Sequence, residues 1–341
     1  MKIYEDKPVG WAIVGLGRLS QGQILPGFAE CKNSKVVALV SGHRDKAEKL
    51  ATQYGVDFKS LYSYETFDKI SENPEIDAVY IVLPNGMHAE YTIRAAKAGK
   101  HVLCEKPMAN TAKECESMIA ACKLANKKLM IAYRCQLEPY NLAAISAIRE
   151  GKLGKIKSVV ADHGFNIGRN EWRCDKKLAG GGSMMDIGIY SLNAARYLTG
   201  EEPIEVFGVE STDRKDPRFA QPGIEDTMHF TLKFPSGALA NCTSSYGYAG
   251  ANRYRVIGER GWLEMEPATS YGGLKLKIAG RGRPEEIQLP GGSHFAREME
   301  HFSECVRENK TPRTPGEEGL RDLRLIEALY RSAKTGKAVR V

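Results

Sequence analysis

The sequence lacks several features that would assign it at once to a class of protein. No apolar run reaches the roughly 18 residues that a membrane-spanning helix requires, so a transmembrane protein is excluded. The 49 Lys and Arg residues are interleaved with 42 Asp and Glu residues, without a run of five or six like charges. The net charge of +7 therefore indicates a solvated surface, and no nucleic-acid-binding motif accompanies it. We expect neither a membrane nor a nucleic acid as a partner.

Cysteine spacing and the N-terminus are equally uninformative. No two of the eight cysteines form a C-x-x-C pair, the spacing typical of zinc sites and redox motifs, so we expect no metal site. The stretch Met1–Val9 is polar and contains no apolar signal-peptide segment. The chain as written is therefore predicted to be cytoplasmic, and it would be periplasmic if an export signal had been removed from it.

The 341 residues suffice for two domains, since a domain takes roughly 100–200 residues. In the first part, apolar runs rich in β-branched residues alternate with amphipathic segments. The runs predict strands at Trp11–Val14, Lys35–Val40, Ile76–Val82, His101–Cys104 and Lys128–Tyr133. The amphipathic segments predict helices at Asp45–Tyr54, His88–Ala98 and Thr111–Ala125. This alternation is typical of a doubly wound parallel sheet, a Rossmann domain, which we place at residues 1–134.

The second part, residues 135–341, has a different texture. Apolar and polar residues alternate loosely in the segments 155–161, 226–234 and 238–246, and the turn Pro235–Gly237 joins two of them directly. This pattern predicts a largely antiparallel sheet with one open face. Long helices are predicted at Ser183–Leu198 and Glu317–Thr335. The fold class is therefore α/β, with a Rossmann domain followed by an α+β domain that would bind substrate and form oligomers.

A glycine turn follows the first predicted strand. The residues Gly15-Leu16-Gly17-Arg18-Leu19-Ser20 have the form G-x-G-x-x-S, with Ser20 in place of the usual third glycine or alanine. The first glycine permits a tight turn and the second lets the backbone approach a pyrophosphate. At this position in a β-α-β unit, the motif predicts a dinucleotide site.

The end of the second strand indicates which dinucleotide is bound. An NAD site would place a carboxylate there for the ribose 2′-hydroxyl. The chain instead has Ser41 and Gly42, followed by Arg44 and Lys46, and Asp45 falls within the next helix. Hydroxyl, guanidinium and ammonium donors suit a 2′-phosphate, so we predict NADP(H) as the cofactor.

Three further motifs resemble a known family when they are taken together with the glycine turn. They are Leu83-Pro84-Asn85 with His88, Glu105-Lys106-Pro107, and Gly181-Gly182 followed by Asp186 and Tyr190. These motifs are similar to those of the glucose–fructose oxidoreductase/inositol dehydrogenase (Gfo/Idh/MocA) family. The similarity covers Val9 to about Val339 and is greatest to the glucose–fructose oxidoreductase branch, on the stretches 105–109, 128–135, 172–173 and 178–190.

The resemblance implies roles for the matching residues. Lys106, Asp186 and Tyr190 would be catalytic, with Tyr190 where most of the family has His. A phenol ionises only near a pKa of about 10, so it needs a nearby cation to act as a base, and the resemblance places Lys106 beside it. Asp186 would orient the sugar or Lys106. Leu83, Pro84, Asn85, His88 and Glu105 would flank the nicotinamide, while Arg134, Trp172 and Arg173 would contact cofactor or substrate.

The implied reaction is oxidation of an aldose at C1 to the lactone, by hydride transfer to the nicotinamide of NADP. Retained NADPH would then reduce a second sugar, either fructose or an aldose to its alditol. Only about eight residues precede the first strand here, whereas that branch has an arm folded over the cofactor. The alternative that the protein is an ordinary aldose 1-dehydrogenase, which exchanges its NADP after each reaction, is therefore also open. A non-catalytic NADP-binding redox sensor is the alternative from another class, and the intact Lys106, Asp186 and Tyr190 argue against it.

The resemblance implies association through the open face of the second sheet, as a homodimer or homotetramer. The predicted strand 226–234 has one apolar side and one side too polar to establish an interface: Met228, Phe230, Leu232 and Phe234 lie on the first, and Thr227, His229, Thr231 and Lys233 on the second. Tyr133, Tyr246 and Tyr248 fit either the sugar pocket or the core.

Overall fold

The computed structural model of the chain describes residues 7–280 and 282–341. The described residues form two compact units. The first unit contains the chain up to Leu137 together with Gly292–Leu320, and the second contains Glu138–Gly291 and Arg321–Val341.

Six strands form a parallel sheet in the first unit. They are β1 (Val9–Val14), β2 (Ser34–Val40), β3 (Leu61–Tyr62), β4 (Ala78–Ile81), β5 (His101–Glu105) and β6 (Leu129–Ala132). Their order across the sheet is β3-β2-β1-β4-β5-β6, and every neighbouring pair is parallel. This is the strand order of a Rossmann fold and confirms the predicted doubly wound sheet.

Nine strands form the sheet of the second unit. They are β7 (Ile156–Asn166), β8 (Glu205–Ser211), β9 (Thr227–Lys233), β10 (Leu239–Ser245), β11 (Gly247–Gly258), β12 (Trp262–Met265), β13 (Leu276–Ala279), β14 (Glu285–Ile287) and β15 (Val339–Arg340). The order is β14-β13-β12-β11-β7-β10-β9-β8-β15, and of the neighbouring pairs recorded only β7 with β10 is parallel. The predicted α+β domain on a largely antiparallel sheet is thus confirmed.

The helices of the two units are α1 (Leu25–Gly27), α2 (Arg44–Tyr54), α3 (Asn85–Lys97), α4 (Ala112–Leu124), α5 (Pro139–Arg149), α6 (Lys176–Ala179), α7 (Ile189–Thr199), α8 (His294–Arg307) and α9 (Gly316–Thr335). Local sequence explains several of their ends. Thr111 and Glu114 form a reciprocal capping box at the start of α4. Gly55 and Gly200 end α2 and α7 in the left-handed conformation, which favours glycine.

The structure divides the chain differently from a single boundary at 134/135, because α8 packs on the parallel sheet. Phe295, Met299, Phe302 and Val306 recur at helical spacing and join the core cluster that contains Trp11. The Trp11 and Phe302 ring centres lie 5.7 Å apart, and Trp11 Nε1 donates to Ser303 Oγ at 3.1 Å. A parallel sheet needs both faces covered, and α8 supplies cover from far along the chain. Sequence reasoning did not identify α8 as a helix.

The predicted helix Ser183–Leu198 differs from the structure at its start. Met184–Gly188 forms a π-helical turn, and the α-helical part α7 begins at Ile189. Helix α5 was not predicted. The alternation in β9 is confirmed, since Met228, Phe230 and Leu232 are buried while His229 and Lys233 are exposed.

Candidate active site

The glycine turn after β1 has the geometry that a dinucleotide site requires. Gly15 has φ of +92°, and a Cβ there would lie 2.3 Å from the Val82 carbonyl oxygen, so only glycine fits. The Ser20 hydroxyl is buried and donates to the Gly15 carbonyl at 2.5 Å, which explains a serine at the third position. A Cβ on Gly17 would meet no atom of the protein within 4 Å. Gly17 therefore leaves open space beside the turn, which suits a closely approaching phosphate.

The tip of β2 presents donors to solvent. Ser41 is buried, and its hydroxyl accepts from the backbone N–H of His43 at 3.1 Å. Arg44 is exposed and pairs with Glu48 in its own helix, with Nε 2.7 Å from Oε1. Exposed pairs of this kind contribute about 1 kcal/mol or less, so the guanidinium can leave Glu48 for a stronger anion. Gly42 is exposed and Lys46 is half-buried.

The ends of β4 and β5 are tied together by His88. Its Nε2 lies 2.8 Å from the Leu83 carbonyl oxygen and its Nδ1 lies 2.9 Å from that of Pro107. Burial lowers the pKa of His88, and the side chain is only 1% exposed. His88 therefore fixes the Leu83-Pro84-Asn85 turn relative to Lys106-Pro107 through two main-chain contacts. Leu83 and Asn85 are also buried.

Arg134, just after the end of β6, contacts helix α8. Its Nη1 donates to His294 Nδ1 at 3.2 Å, and its guanidinium carbon lies 5.8 Å from the centre of the Phe295 ring. Burial and the charge of Arg134 lower the pKa of His294 to about 4. The imidazole is therefore neutral near pH 7 and can accept this hydrogen bond.

In the second unit the structure brings Arg173 and Asp186 together. Arg173 Nε lies 3.0 Å from Asp186 Oδ2, and the guanidinium carbon stands 4.6 Å from the centre of the Trp172 ring. Three residues assigned separately by resemblance thus form one cluster. Asp186 has Arg173 as its cation within this unit.

Tyr190 lies against a histidine that sequence reasoning missed. Its ring centre is 5.8 Å from that of His163, and the planes are inclined by 32°. His163 is buried on β7, and its Nδ1 lies 2.8 Å from the hydroxyl of Ser191, the residue after Tyr190. His163 thereby links β7 to the helix that carries Tyr190. A lone histidine in an alternating strand gave no signal of this contact.

A buried carboxyl group anchors the segment that carries Asp186. Glu225 accepts from the backbone N–H groups of Gly182 and Met184, both at 2.8 Å, and from the Tyr330 hydroxyl at 3.1 Å. A Cβ on Gly182 would lie 1.9 Å from the Glu225 carbonyl oxygen, and one on Gly181 would lie 2.3 Å from the Tyr330 hydroxyl. The glycine pair of the motif is therefore required by this anchor. Sequence reasoning missed Glu225, since a single acid before a strand is not distinctive.

The sequence left three tyrosines that fit either the sugar pocket or the core. Tyr133 and Tyr246 are buried, and Tyr248 is half-buried with its hydroxyl 3.4 Å from His229 Nε2. Burial and the adjacent charge of Asp186 raise the pKa of Tyr246 well above its ordinary value, so this phenol stays protonated.

Two features are absent from residues 7–280 and 282–341. No helix in those ranges is long and apolar enough to cross a membrane. No group of three or more His, Cys, Asp or Glu side chains in them could hold a metal ion.

We predict that Glu225 makes stability depend on pH. Burial raises its pKa to about 7 in the folded chain, against 4.5 for an unperturbed glutamate. Between these values the folded chain keeps a proton that the unfolded chain loses, so stability falls as pH rises. The loss is roughly 3 kcal/mol between pH 4.5 and pH 7. Glu225→Gln should remove this part of the pH dependence in urea unfolding, whereas the control Glu48→Gln, at a side chain that is 43% exposed, should keep it. Equal pH slopes for Glu225→Gln and the original chain would contradict this prediction.

Models of one oxidoreductase family match both parts of the chain. The family described as "Oxidoreductase family, NAD-binding Rossmann fold" matches residues 9–133, and "Oxidoreductase family, C-terminal alpha/beta domain" matches residues 145–341. A D-xylose 1-dehydrogenase [NADP(+)] from Haloarcula marismortui is 32% identical, over 98% of this chain and 94% of that protein. The crystal structure of an aldose–aldose oxidoreductase from Caulobacter crescentus, complexed with glycerol, is 51% identical with a TM-score of 0.96, over 98% of this chain and all of that one.

A third similar protein was crystallised with its cofactor. This 3-ketoreductase from Actinomadura kijaniata, in complex with NADP and TDP-benzene, is 26% identical with a TM-score of 0.84, over 96% of this chain and 98% of that chain. The family matches cover both parts of the chain, and the relatives match along nearly its whole length. The chain belongs to the Gfo/Idh/MocA family of oxidoreductases.

Proposed function

We propose that the protein is an NADP(H)-dependent sugar oxidoreductase that oxidises an aldose at C1 to the lactone. The observation that carries this proposal is the full-length similarity to an aldose–aldose oxidoreductase at 51% identity. The first unit would bind the cofactor, and the second would bind the sugar.

The residues of the first unit fit a dinucleotide. The turn of Gly15, Leu16, Gly17, Arg18 and Leu19 would hold the pyrophosphate, because Gly17 leaves open space beside the backbone. Ser41, Gly42, Arg44 and Lys46 would hold the 2′-phosphate. The nicotinamide end would be bound by Leu83, Pro84, Asn85, His88, Glu105, Lys106 and Arg134. Trp172 and Arg173 belong to the second unit and are proposed as contacts to cofactor or substrate.

The proposed reaction divides the two hydrogens of C1–OH between two acceptors. Bound nicotinamide supplies the acceptor for the hydride that leaves C1. The Tyr190 oxygen, as the general base, accepts the hydroxyl proton, and the C1–O bond becomes the lactone carbonyl. Lys106 supplies the positive charge that a phenolate needs. Asp186, fixed by Arg173 at 3.0 Å, accepts a hydrogen bond from a sugar hydroxyl.

Two courses are open to the reduced cofactor. In the first, retained NADPH reduces a second sugar, either fructose to its alditol or an aldose. In the second, NADPH leaves and the protein is a simple aldose 1-dehydrogenase. Adding glucose to the purified protein without cofactor separates them, since only retained NADP⁺ gives new absorbance near 340 nm.

Two or four copies are proposed to associate through the exposed face of the second sheet. Large apolar side chains lie on this face at Val160, Phe207, Val209, Leu239 and Ile257. The strand register places Phe207 beside Thr231 and Val209 beside the exposed His229. These apolar side chains alternate with polar neighbours across several strands, and they support the proposal that a second copy of the same face packs there.

The first prediction from this proposal concerns the open space at Gly17. Gly17→Val should weaken NADP⁺ binding at least about 10-fold, because the side chain would occupy the pyrophosphate position. Gly22→Val is the matched control, since a Cβ on Gly22 also meets nothing within 4 Å. Fluorescence titration measures both affinities, and thermal melting confirms that both variants fold. Similar affinities for the two variants would exclude the turn as the pyrophosphate site.

The second prediction concerns Tyr190, the proposed proton acceptor. Tyr190→Phe should lower kcat by roughly 10²–10⁴-fold, the usual contribution of a general base. Tyr197→Phe is the control on the same helix, because it removes a hydroxyl bonded to Asn141 and should leave the rate within a few-fold. Initial rates with NADP⁺ and a panel of aldoses give the comparison. A near-normal rate in Tyr190→Phe would remove Tyr190 from the role of base.

The third prediction concerns the association of copies of the chain through the second sheet. Val209→Asp should lower the mass measured by sedimentation equilibrium, because a buried unpaired carboxylate opposes the interface. Leu124→Asp places the same charge at a residue that is 91% exposed in the first unit and should leave the mass unchanged. A monomeric original chain, or an unchanged mass for Val209→Asp, would refute this interface.

A further inference from the structure

One phenol lies between two carboxyl groups in the first unit. The Tyr80 hydroxyl on β4 is 2.8 Å from Glu105 Oε1 at the end of β5 and 3.1 Å from Glu298 Oε2 on α8. Tyr80 and Glu298 are fully buried, and Glu105 is partly buried. The family motifs include Glu105 but neither of the other two residues.

The number of protons decides how this cluster is charged. A phenol has one proton and can donate it to only one of the two carboxyl groups. If both were ionised, the second carboxylate would face the phenolic lone pairs and a like charge, away from water. One additional proton satisfies all three groups. The protonated carboxyl then donates to the Tyr80 oxygen, and the Tyr80 hydroxyl donates to the other carboxylate.

The surroundings decide which carboxyl carries that proton. Burial raises the pKa of Glu105, but the charge of Lys106, the Tyr80 hydroxyl, the charge of Arg134 and the Lys106 backbone N–H, which donates to Oε2 at 3.2 Å, all oppose that rise. Glu298 is faced by Glu105, Tyr80 and Arg134, and its Oε1 has no hydrogen-bond partner in the described chain. Burial, followed by the charge of Glu105, raises the pKa of Glu298 well above its ordinary value.

We propose that Glu298 is a positioning residue that stays protonated and, through Tyr80, holds Glu105 as the anion next to Lys106. The inference rests on the proposed function for the role of Lys106. Glu298 donates to the Tyr80 oxygen, and Tyr80 donates to Glu105. The orientation of the carboxylate of Glu105, the last residue of β5, is thus set from α8, and the Lys106 ammonium has a fixed counter-charge.

Matched substitutions separate this role from simple packing. Glu298→Gln keeps a donor of the same shape and should retain near-original kcat/KM. Glu298→Leu keeps the volume but removes the donor, and it should lower kcat/KM on the order of 10- to 100-fold, as is usual when a supporting hydrogen bond is lost. Thermal melting of both variants shows whether each one folds.

Tyr80→Phe gives a second variant with a distinct readout. Losing the phenol removes a hydrogen bond that favours the ionised Glu105. The acid limb of kcat/KM should therefore move to higher pH in Tyr80→Phe and stay in place in Glu298→Gln. An unmoved acid limb in Tyr80→Phe would overturn the proposal, as would a loss in Glu298→Gln equal to that in Glu298→Leu.

Infrared spectroscopy tests the proton without cofactor or sugar. The difference spectrum between the original chain and Glu298→Gln at pH 7 should show the carbonyl stretch of a buried protonated carboxyl, shifted in D₂O, because the partly protonated Glu225 contributes equally to both spectra. Absence of this band from the difference spectrum would overturn the proposal whatever the activity. A band that is present in a protein without sugar-dependent NADP⁺ reduction would instead refute the proposed function and leave the proton on Glu298 established.

Discussion

The first unit depends on the packing of helix α8 against the parallel sheet. Phe302 and Met299 fill the core around Trp11, and Ser303 accepts the indole N–H at 3.1 Å. Without this helix, part of one face of a sheet made of apolar strands would be exposed to water. The same helix brings Glu298 to Tyr80 and His294 to Arg134. The contact that completes the core therefore also sets the charges at the ends of β4, β5 and β6.

The second unit uses a buried acid in a comparable way. Glu225 holds the start of the helical segment that carries Asp186 and Tyr190, through the N–H groups of Gly182 and Met184. The close approach of Glu225 excludes any side chain at Gly182. The glycines of this motif therefore serve the geometry of the segment, and they need not touch a ligand to be required.

Local patterns sufficed for much of the fold. The strands of the first sheet were predictable because burial on both faces makes each one a continuous apolar run, and the Gly15 turn because its φ of +92° requires glycine. The place of α8 was not predictable, since the hydrogen bond between Trp11 and Ser303 joins residues 292 positions apart. One feature of the sequence does indicate that α8 has a partner for a buried acid. Glu298 falls on the same helical face as Phe295 and Phe302, and a carboxylate on an apolar face needs a partner.

The candidate site was predictable as a set of residues but not as contacts. Spacing indicated that Asp186 and Tyr190 share a helix face, yet the Arg173 partner of Asp186 comes from a separate loop. His88 was assigned to the cofactor by resemblance, and the structure shows both of its nitrogens directed at main-chain carbonyls. Contacts of this kind depend on how distant segments pack, and periodicity carries no information about them.

Glu225 and Glu298 are equally buried, and their difference shows what governs a buried acid. Three donors point at Glu225, which offsets part of the cost of burying its charge, and its pKa rises only to about 7. Glu298 shares one hydroxyl with a second carboxylate, so little offsets its burial, and burial together with the charge of Glu105 raises the pKa of Glu298 well above its ordinary value. The number of donors and the sign of the nearest charge therefore separate the two. One acid can change charge near neutral pH, while the other remains neutral and acts as a hydrogen-bond donor.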